Sequence, residues 1–420
     1  MTVLSNIDFA IQASKDLGAE LQNFSKANLE KLKSVNIPTR KTESWKYSAK
    51  RLKMSEAYPE FASSKPVGEI ENSYLVDAHV IVVSNNIVCL NKLGETDLTI
   101  KSFSDLNEAQ SLQVINGAIA QSSNYEFSVA NAAYLQNGLY INVPKNTHVD
   151  KPIRLVFQQI EEGVSFPRIF FNVESGASVT IIEEIQIQAS DDSLALVNSV
   201  CDINIEANAK AQYLRMNLDG GKSKHIGATG INLHRDARFE SYHLALGSEL
   251  ARHDLLVKML GSGAECQLNG VCITQDKQHY ANHTVVEHIA PNCTSDETYR
   301  CIADNESQIV FNGRIHIHPD AQKTLGSMSN RNLLLSSKAE IDSKPELEIY
   351  ADDVKCAHGS TIGQLDETEL YYLTTRGISH EQAKLMLTLG FVLEVVHATP
   401  IEAIAEFWEQ RLSELLSFEI

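Results

Sequence analysis

Ser175-Gly176-Ala177-Ser178-Val179, Ala207-Asn208-Ala209-Lys210-Ala211, Arg235-Asp236-Ala237-Arg238-Phe239 and Ser262-Gly263-Ala264-Glu265-Cys266 repeat one phrase: turn residues, a small residue, then an alternating strand. Pro291-Asn292-Cys293 and Pro319-Asp320-Ala321 continue it. The small residue falls at 177, 209, 237, 264, 293 and 321, in steps of 32, 28, 27, 29 and 28. So steady a step marks a solenoid, because a sandwich varies its loops more freely. Each step holds two strands of roughly ten residues, one coil of a flattened parallel β-helix. The small residue belongs where the chain turns a tight corner. On this reading Cys293 is a corner residue in place of Ala, not a metal ligand.

On either side of this stretch the texture is helical. Leu4, Ile7, Ile11, Leu17, Leu21 and Phe24 recur at helical spacing, and a second segment carries Leu29 and Leu32 before Asn36-Ile37-Pro38 breaks the pattern. At the other end, Asp366 to Glu369 and Ser379 to Gln382 have capping-box spacing, and Gly377 is placed to end a helix. Thr399-Pro400 is expected to start a further helix with Pro at its first position, and Ile401, Ile404, Trp408, Leu412 and Leu415 form its apolar stripe. The expected organisation is 1–140 (N-terminal helical and mixed), 141–363 (β-helix) and 364–420 (C-terminal helical). Residues 1–53 hold ten Lys/Arg and five Asp/Glu, whereas 364–420 hold three and ten. Two readings of the acidic tail stand side by side: a cap closing the solenoid's open end, and a docking surface for a partner. Arg40 to Tyr47, with Trp45 among basic residues, reads as an amphipathic turn covering a core edge, with a ligand site as the alternative.

The whole chain has 420 residues, 36 Lys+Arg, 54 Asp+Glu and a formal charge of -18. That balance argues against nucleic acid and anionic membranes, both of which call for a basic footprint. No stretch has the length and apolarity of a membrane span, and the N-terminus lacks the pattern of a signal peptide. The seven cysteines (89, 201, 266, 272, 293, 301 and 356) are odd in number and scattered, which fits a reducing, cytoplasmic setting.

Five places invite a chemical reading. Cys266, Cys272, His279, His283, His288, Cys293 and Cys301 are soft ligands in one region, but they lack the tight pairs of a closed zinc site and read as strand-face and corner residues. His316 and His318 lie on one face of a strand, flanking Ile317; a His-rich metal enzyme is the rival reading there. Asp219-Gly220-Gly221-Lys222-Ser223 fails the phosphate-loop pattern at Met216 and reads as a hairpin, so no ATP site is expected. Glu183-Glu184 are adjacent on a strand and point to opposite faces, which disfavours a carbohydrate-cleaving β-helix. The fifth place is Pro345 to Gly363, where Cys356 and His358 share one strand face. Thiolate and imidazole together suit iron-sulfur chemistry, zinc or a persulfide, and the final strand offers an unpaired edge.

At these residues the chain resembles the SufB/SufD family of the SUF iron-sulfur cluster assembly complex. The resemblance rests on Asp352-Asp353-Val354-Lys355-Cys356-Ala357-His358-Gly359, Gly363-Gln364-Leu365-Asp366, Tyr371-Tyr372-Leu373, Arg376-Gly377-Ile378 and Gly390-Phe391. Phe311-Asn312-Gly313-Arg314-Ile315, Ala321-Gln322-Lys323-Thr324, Asn332-Leu333-Leu334-Leu335, Lys344-Pro345-Glu346-Leu347 and the Glu43-Ser44-Trp45-Lys46-Tyr47 segment add to it. The length, and Arg331 where SufB places its scaffold cysteine, resemble the SufD branch; a SufB-like scaffold is the alternative. The family implies a mainly β fold, a right-handed parallel β-helix flanked by N- and C-terminal helical regions. It implies a non-catalytic scaffold subunit, pairing with a SufB-like paralogue at the C-terminal end of the β-helix. A SufC-like ABC ATPase is expected to dock on the C-terminal helices. Carried onto this chain, Cys356 and His358 match the positions associated with cluster assembly at that interface, with transient contact to iron and no stably bound cofactor. The sequence leaves open a homodimer of the isolated chain.

Overall fold

The computed structural model describes residues 13–416 except 37, 53–73, 75, 85, 91–95, 120–125, 160–161, 188–194, 219–220 and 222. Two sheets of parallel strands face each other across one apolar interior, and the chain passes from one to the other at every half coil. The first sheet carries Ser178–Ile187, Lys210–Asn217, Arg238–Leu246, Glu265–Thr274, Thr294–Ala303, Thr324–Leu334 and Val354–Gly363 side by side. The second carries Ala195–Ile205, Lys224–Leu233, Leu250–Met259, His279–His288, Gln308–Ile317 and Glu340–Ile349. The result is a mainly β solenoid of about seven turns with helices at both ends.

The corners explain the repeat. Ala177, Ala209, Ala237, Ala264, Cys293 and Ala321 are all buried, each where the chain re-enters the first sheet. The residue before five of them has positive φ: Gly176 (72°), Asn208 (59°), Asp236 (56°), Gly263 (75°) and Asn292 (60°). Left-handed backbone favours Gly, Asn and Asp, which is why those types precede the small residue. Coils are then bonded corner to corner: Lys210 N donates to Ala177 O, Arg238 N to Ala209 O, Glu265 N to Ala237 O and Thr294 N to Ala264 O. Cys293 occupies its corner as expected, its thiol donating to Gly261 O at 3.4 Å.

At the N-terminal end both sheets finish in antiparallel strands. Ile87–Cys89 folds back on His79–Ser84, and Thr99–Ser102 runs against Leu139–Val143. Helices α1 (Ala19–Ser34), α2 (Ala49–Leu52), α3 (Glu108–Gly117) and α4 (Glu126–Ala133) belong to this part of the chain. Leu21, Leu29 and Leu32 lie buried on α1 alone, so the two helical segments expected there are one helix after residue 18. Leu4, Ile7, Ile11, Ile37, and Asp219, Gly220 and Lys222 of the expected hairpin, lie outside the described residues.

At the C-terminal end come α5 (Glu367–Thr375), α6 (His380–His397) and α7 (Glu402–Leu416). Ser379 and Gln382 form the expected capping box, and Gly377 follows α5 with φ 87°. Asp366 caps α5 through Thr368 N rather than through a box. Pro400 precedes α7, which begins at Glu402. The helices do not close the solenoid's open end, one of the two readings of the tail. Val392, Val396, Ile404, Trp408 and Leu412 pack instead on Leu214, Met216, Leu244, Val271 and Ile273, the outward residues of the first sheet. Gln275 donating to Leu415 O at 2.6 Å and Arg300 paired with Glu394 at 3.0 Å secure that seat. Among the described residues no helix is long and apolar enough to cross a membrane.

Candidate functional site at the open end of the solenoid

Strand Thr324–Leu334 shows how the last coil is built. Thr324, Gly326, Met328, Asn330 and Asn332 are buried and face inward, while Leu325 and Arg331 are exposed. The final strand Val354–Gly363 pairs in parallel with it, so Cys356 lies beside Gly326, His358 beside Met328 and Ser360 beside Asn330. Side chains alternate along a strand, and Cys356, His358 and Ser360 therefore continue the inward rows. Among the described residues no further strand follows in that sheet, which ends at Val354–Gly363. The inward rows thus emerge at an open end, with Cys356 half-buried and His358 exposed.

Local chemistry fixes the strand there. Lys323, at φ 58°, donates its backbone N–H to Asp353 O at 2.6 Å, and Asp353 N–H donates to Gln322 Oε1 at 2.9 Å. Farther along, a polar thread runs outward. Asn330 Nδ2 donates to Cys301 Sγ at 3.6 Å, Ser343 Oγ donates to Asn330 Oδ1 at 2.7 Å, and Ser343 and Ser360 hydroxyls share a bond of 2.7 Å. Asn332 Nδ2 also donates to Thr361 O at 2.9 Å.

Cys356 rests against the core over Gly326, where an added Cβ would come within 3.4 Å of its Sγ. Burial pushes the Cys356 thiol pKa up, and the Gly326 backbone acts in the opposite direction. The group is therefore a thiol at neutral pH until a cation beside it favours the thiolate. Among the described residues no group of three or more His, Cys, Asp or Glu side chains is arranged to hold a metal ion. Cys356 and His358 supply at most two donors, fewer than the four ligands that iron-sulfur clusters usually take from protein. On the last coils Leu325, Ile349, Ile362 (49 % exposed) and Tyr350 (63 % exposed) stand in solvent among exposed Asp352, Asp353 and Lys355.

The other soft ligands are dispersed. Cys266, Cys272 and Cys301 face the interior, His279 and His283 lie on the outer face of the second sheet, and Cys293 holds a corner. His316 and His318 stack at 4.3 Å on that outer face, flanking fully buried Ile317. Glu183 faces inward to Arg215 at 3.0 Å and Glu184 outward to Arg154 at 2.9 Å, opposite sides as expected. At the helical tail, Leu334, Leu335, Leu370, Tyr371, His380 and Lys384 line a cleft of about 500 Å³, with Tyr371, Tyr372 and Met386 exposed beside it. Arg331 is exposed on the outer face beside Thr361. Sequence reasoning placed Cys356 and His358 together but missed Gly326 and the Asn330-Ser343-Ser360 thread. The available signal was the coil spacing, which sets residue 326 beside 356.

The described residues form a parallel β-helix with one end antiparallel and the other left uncovered among them, with a thiol and an imidazole at its lip. The family comparison supplies the narrower class. Residues 156–391 match the SUF system FeS cluster assembly, SufBD core domain, and the chain belongs to that family. It is 30 % identical over 424 residues to an iron-sulfur cluster assembly SufBD family protein of Synechocystis, covering 95 % of this chain and 94 % of that one. It is 28 % identical over 391 residues to the iron-sulfur cluster assembly protein SufD of Escherichia coli, covering 90 % and 89 %. With the SufD of Bacillus subtilis it shares 27 % over 285 residues, covering 67 % and 64 %.

Proposed function

We propose that this chain is a SufD-type, non-catalytic scaffold subunit whose open end joins a SufB-like paralogue and whose C-terminal helices receive a SufC-like ATPase. The observation that carries the proposal is the final strand: its outer edge is unpaired among the described residues, and its inward row presents half-buried Cys356 and exposed His358. An open strand edge is a template for another chain's strand, and the exposed Tyr350 and Ile362 give a contact there apolar surface to bury. The nascent cluster is cargo rather than a resident group. His358 would offer a neutral imidazole to iron, or orient a transferred sulfur by hydrogen bonding; Cys356 would assist once cationic iron draws off its proton. The acidic tail and the cleft beside Tyr371 support the ATPase seat, since nucleotide turnover needs a second subunit if this one holds no phosphate loop.

Two experiments test the reading. Purification from native cells should bring down an ABC-type ATPase and a SufB-like paralogue; a chain that co-isolates with neither defeats it. His358→Ala should leave complex formation intact and lower the cluster yield of the reconstituted complex. A yield equal to that of the unaltered chain removes the role assigned to His358.

A further inference from the structure

The N-terminal segment lies over the second sheet as a roof fixed at its edges. Trp45 is buried with the Arg252 guanidinium 4.2 Å over its ring, and Arg252 donates to Ser44 O. Ser48 Oγ and His279 Nε2 share a hydrogen bond of 2.8 Å, and Glu43 pairs with Lys344 at 2.7 Å. Beneath the roof a cavity of about 410 Å³ is lined by Ser44, Lys46, His283, Asn312, Asp342 and Lys344, among others. That size falls in the range of small-molecule sites.

His283 gives this space a ligand-directed feature. Its side chain is 7 % exposed, and its Nε2 is buried without a hydrogen-bond partner among the described residues. Buried polar atoms are normally satisfied, so an orphan at a cavity wall marks a place for a group the chain does not supply. Burial above all, and then the charges of Arg252 and Lys344, disfavour a protonated His283. Arg252 is already paired with Asp254, and Lys344 with Glu43, itself in the wall, and Glu346, so Lys46 is left as the cation to draw an anion into the cavity. Asp342, held by Gln308 at 2.9 Å, sets a carboxylate in the same wall and opposes high negative charge. We propose that this cavity binds the oxyanion head, carboxylate or phosphate, of a small molecule that also carries a donor group for Asp342. Lys46 and the His283 imidazole N–H address the oxyanion, and an ammonium or hydroxyl of the same molecule reaches Asp342.

The full chain, labelled on histidine nitrogen, is titrated with L-serine and separately with glycerol phosphate while the His283 ring resonance is followed by NMR. Sodium chloride at matched ionic strength is the control. A saturable shift with either probe, beyond the control, is expected; which probe saturates separates a carboxylate head from a phosphoryl head. Lys46→Gln, an exposed position outside the folded core, should weaken that binding at least tenfold, with His283→Gln, read by thermal shift, as the second variant. No saturable shift with either probe, or an affinity in both variants equal to that of the unaltered chain, overturns the proposal.

Discussion

Tyr213, Ser241, Leu268, Glu297, Met328 and His358 occupy one inward row of the first sheet, coil after coil. The first five are buried and the sixth is exposed. In the middle coils polar members of the row find partners within the solenoid: Tyr213 donates to Glu183 at 2.6 Å, and Thr284 donates to Glu297 Oε2 at 2.6 Å, while Glu297 Oε1 is buried without a partner among the described residues. Beside them Arg215 joins Glu183 to His243, which also meets Tyr280 at 3.1 Å. His358 has a coil on one side only. The same row is therefore structure where it is enclosed and open where the enclosure stops, and on the proposal above a partner would complete it.

The sharpest way to break this contrast is to open the middle. Glu183→Leu leaves Arg215 buried without its carboxylate, and unpairing a buried charge costs about 3–5 kcal/mol. Urea unfolding of the isolated chain should show a loss of that order. A change below about 1 kcal/mol would mean that the middle coils are as tolerant as the open end.

The second effect is pH dependence. Burial lowers the pKa of His279 to about 3 and of His288 to about 4, against about 6.5 when unfolded. Between those values the unfolded chain binds more protons, so stability is full above about pH 6.5 and falls as the pH drops towards 4. Glu297 acts in the other direction: burial raises its pKa to about 8, so its contribution is present below about pH 4.5 and is lost as pH rises towards 8. Thermal midpoints should peak near neutrality, and Glu297→Gln should flatten the alkaline side. A profile with no acid limb between pH 4 and 6.5 would contradict neutral buried histidines in the coils.

Smaller effects are expected where the fold already accepts the replacement. Cys293→Ala restores the residue found at the other corners and should cost about 1 kcal/mol, the loss of one small buried group. A loss above about 3 kcal/mol would assign the thiol a role beyond the corner. His358→Ala should change the stability of the isolated chain least, within about 0.5 kcal/mol, because the side chain is exposed. A larger loss would place His358 with the structural members of its row.

How much of this was legible in the sequence follows from the range of each interaction. The corners were readable because a left-handed turn before a buried small residue restricts both types locally, as at Asn208-Ala209 and Asp236-Ala237. Cys356 and His358 were readable as a pair because alternation along one strand puts them on one side. The seat of α7 was not: Ile404, Trp408 and Leu412 announce a buried stripe without naming what covers it, and Met216 lies far away in sequence. Likewise the room that Gly326 leaves for Cys356 depends on the register between coils, and Arg252 under Trp45 joins residues 207 positions apart. Period and local turn chemistry identify the solenoid, while its outer coverings and its open end need the three-dimensional register.

The central claim is that the open strand edge is the assembly surface. Hydrogen-deuterium exchange of the Val354–Gly363 amides, measured on the chain alone and in complex with the SufB-like paralogue, tests it directly. Strong protection of these amides on complex formation, with little change in the middle coils, is the predicted result. A stable complex that leaves their exchange unaltered would contradict it.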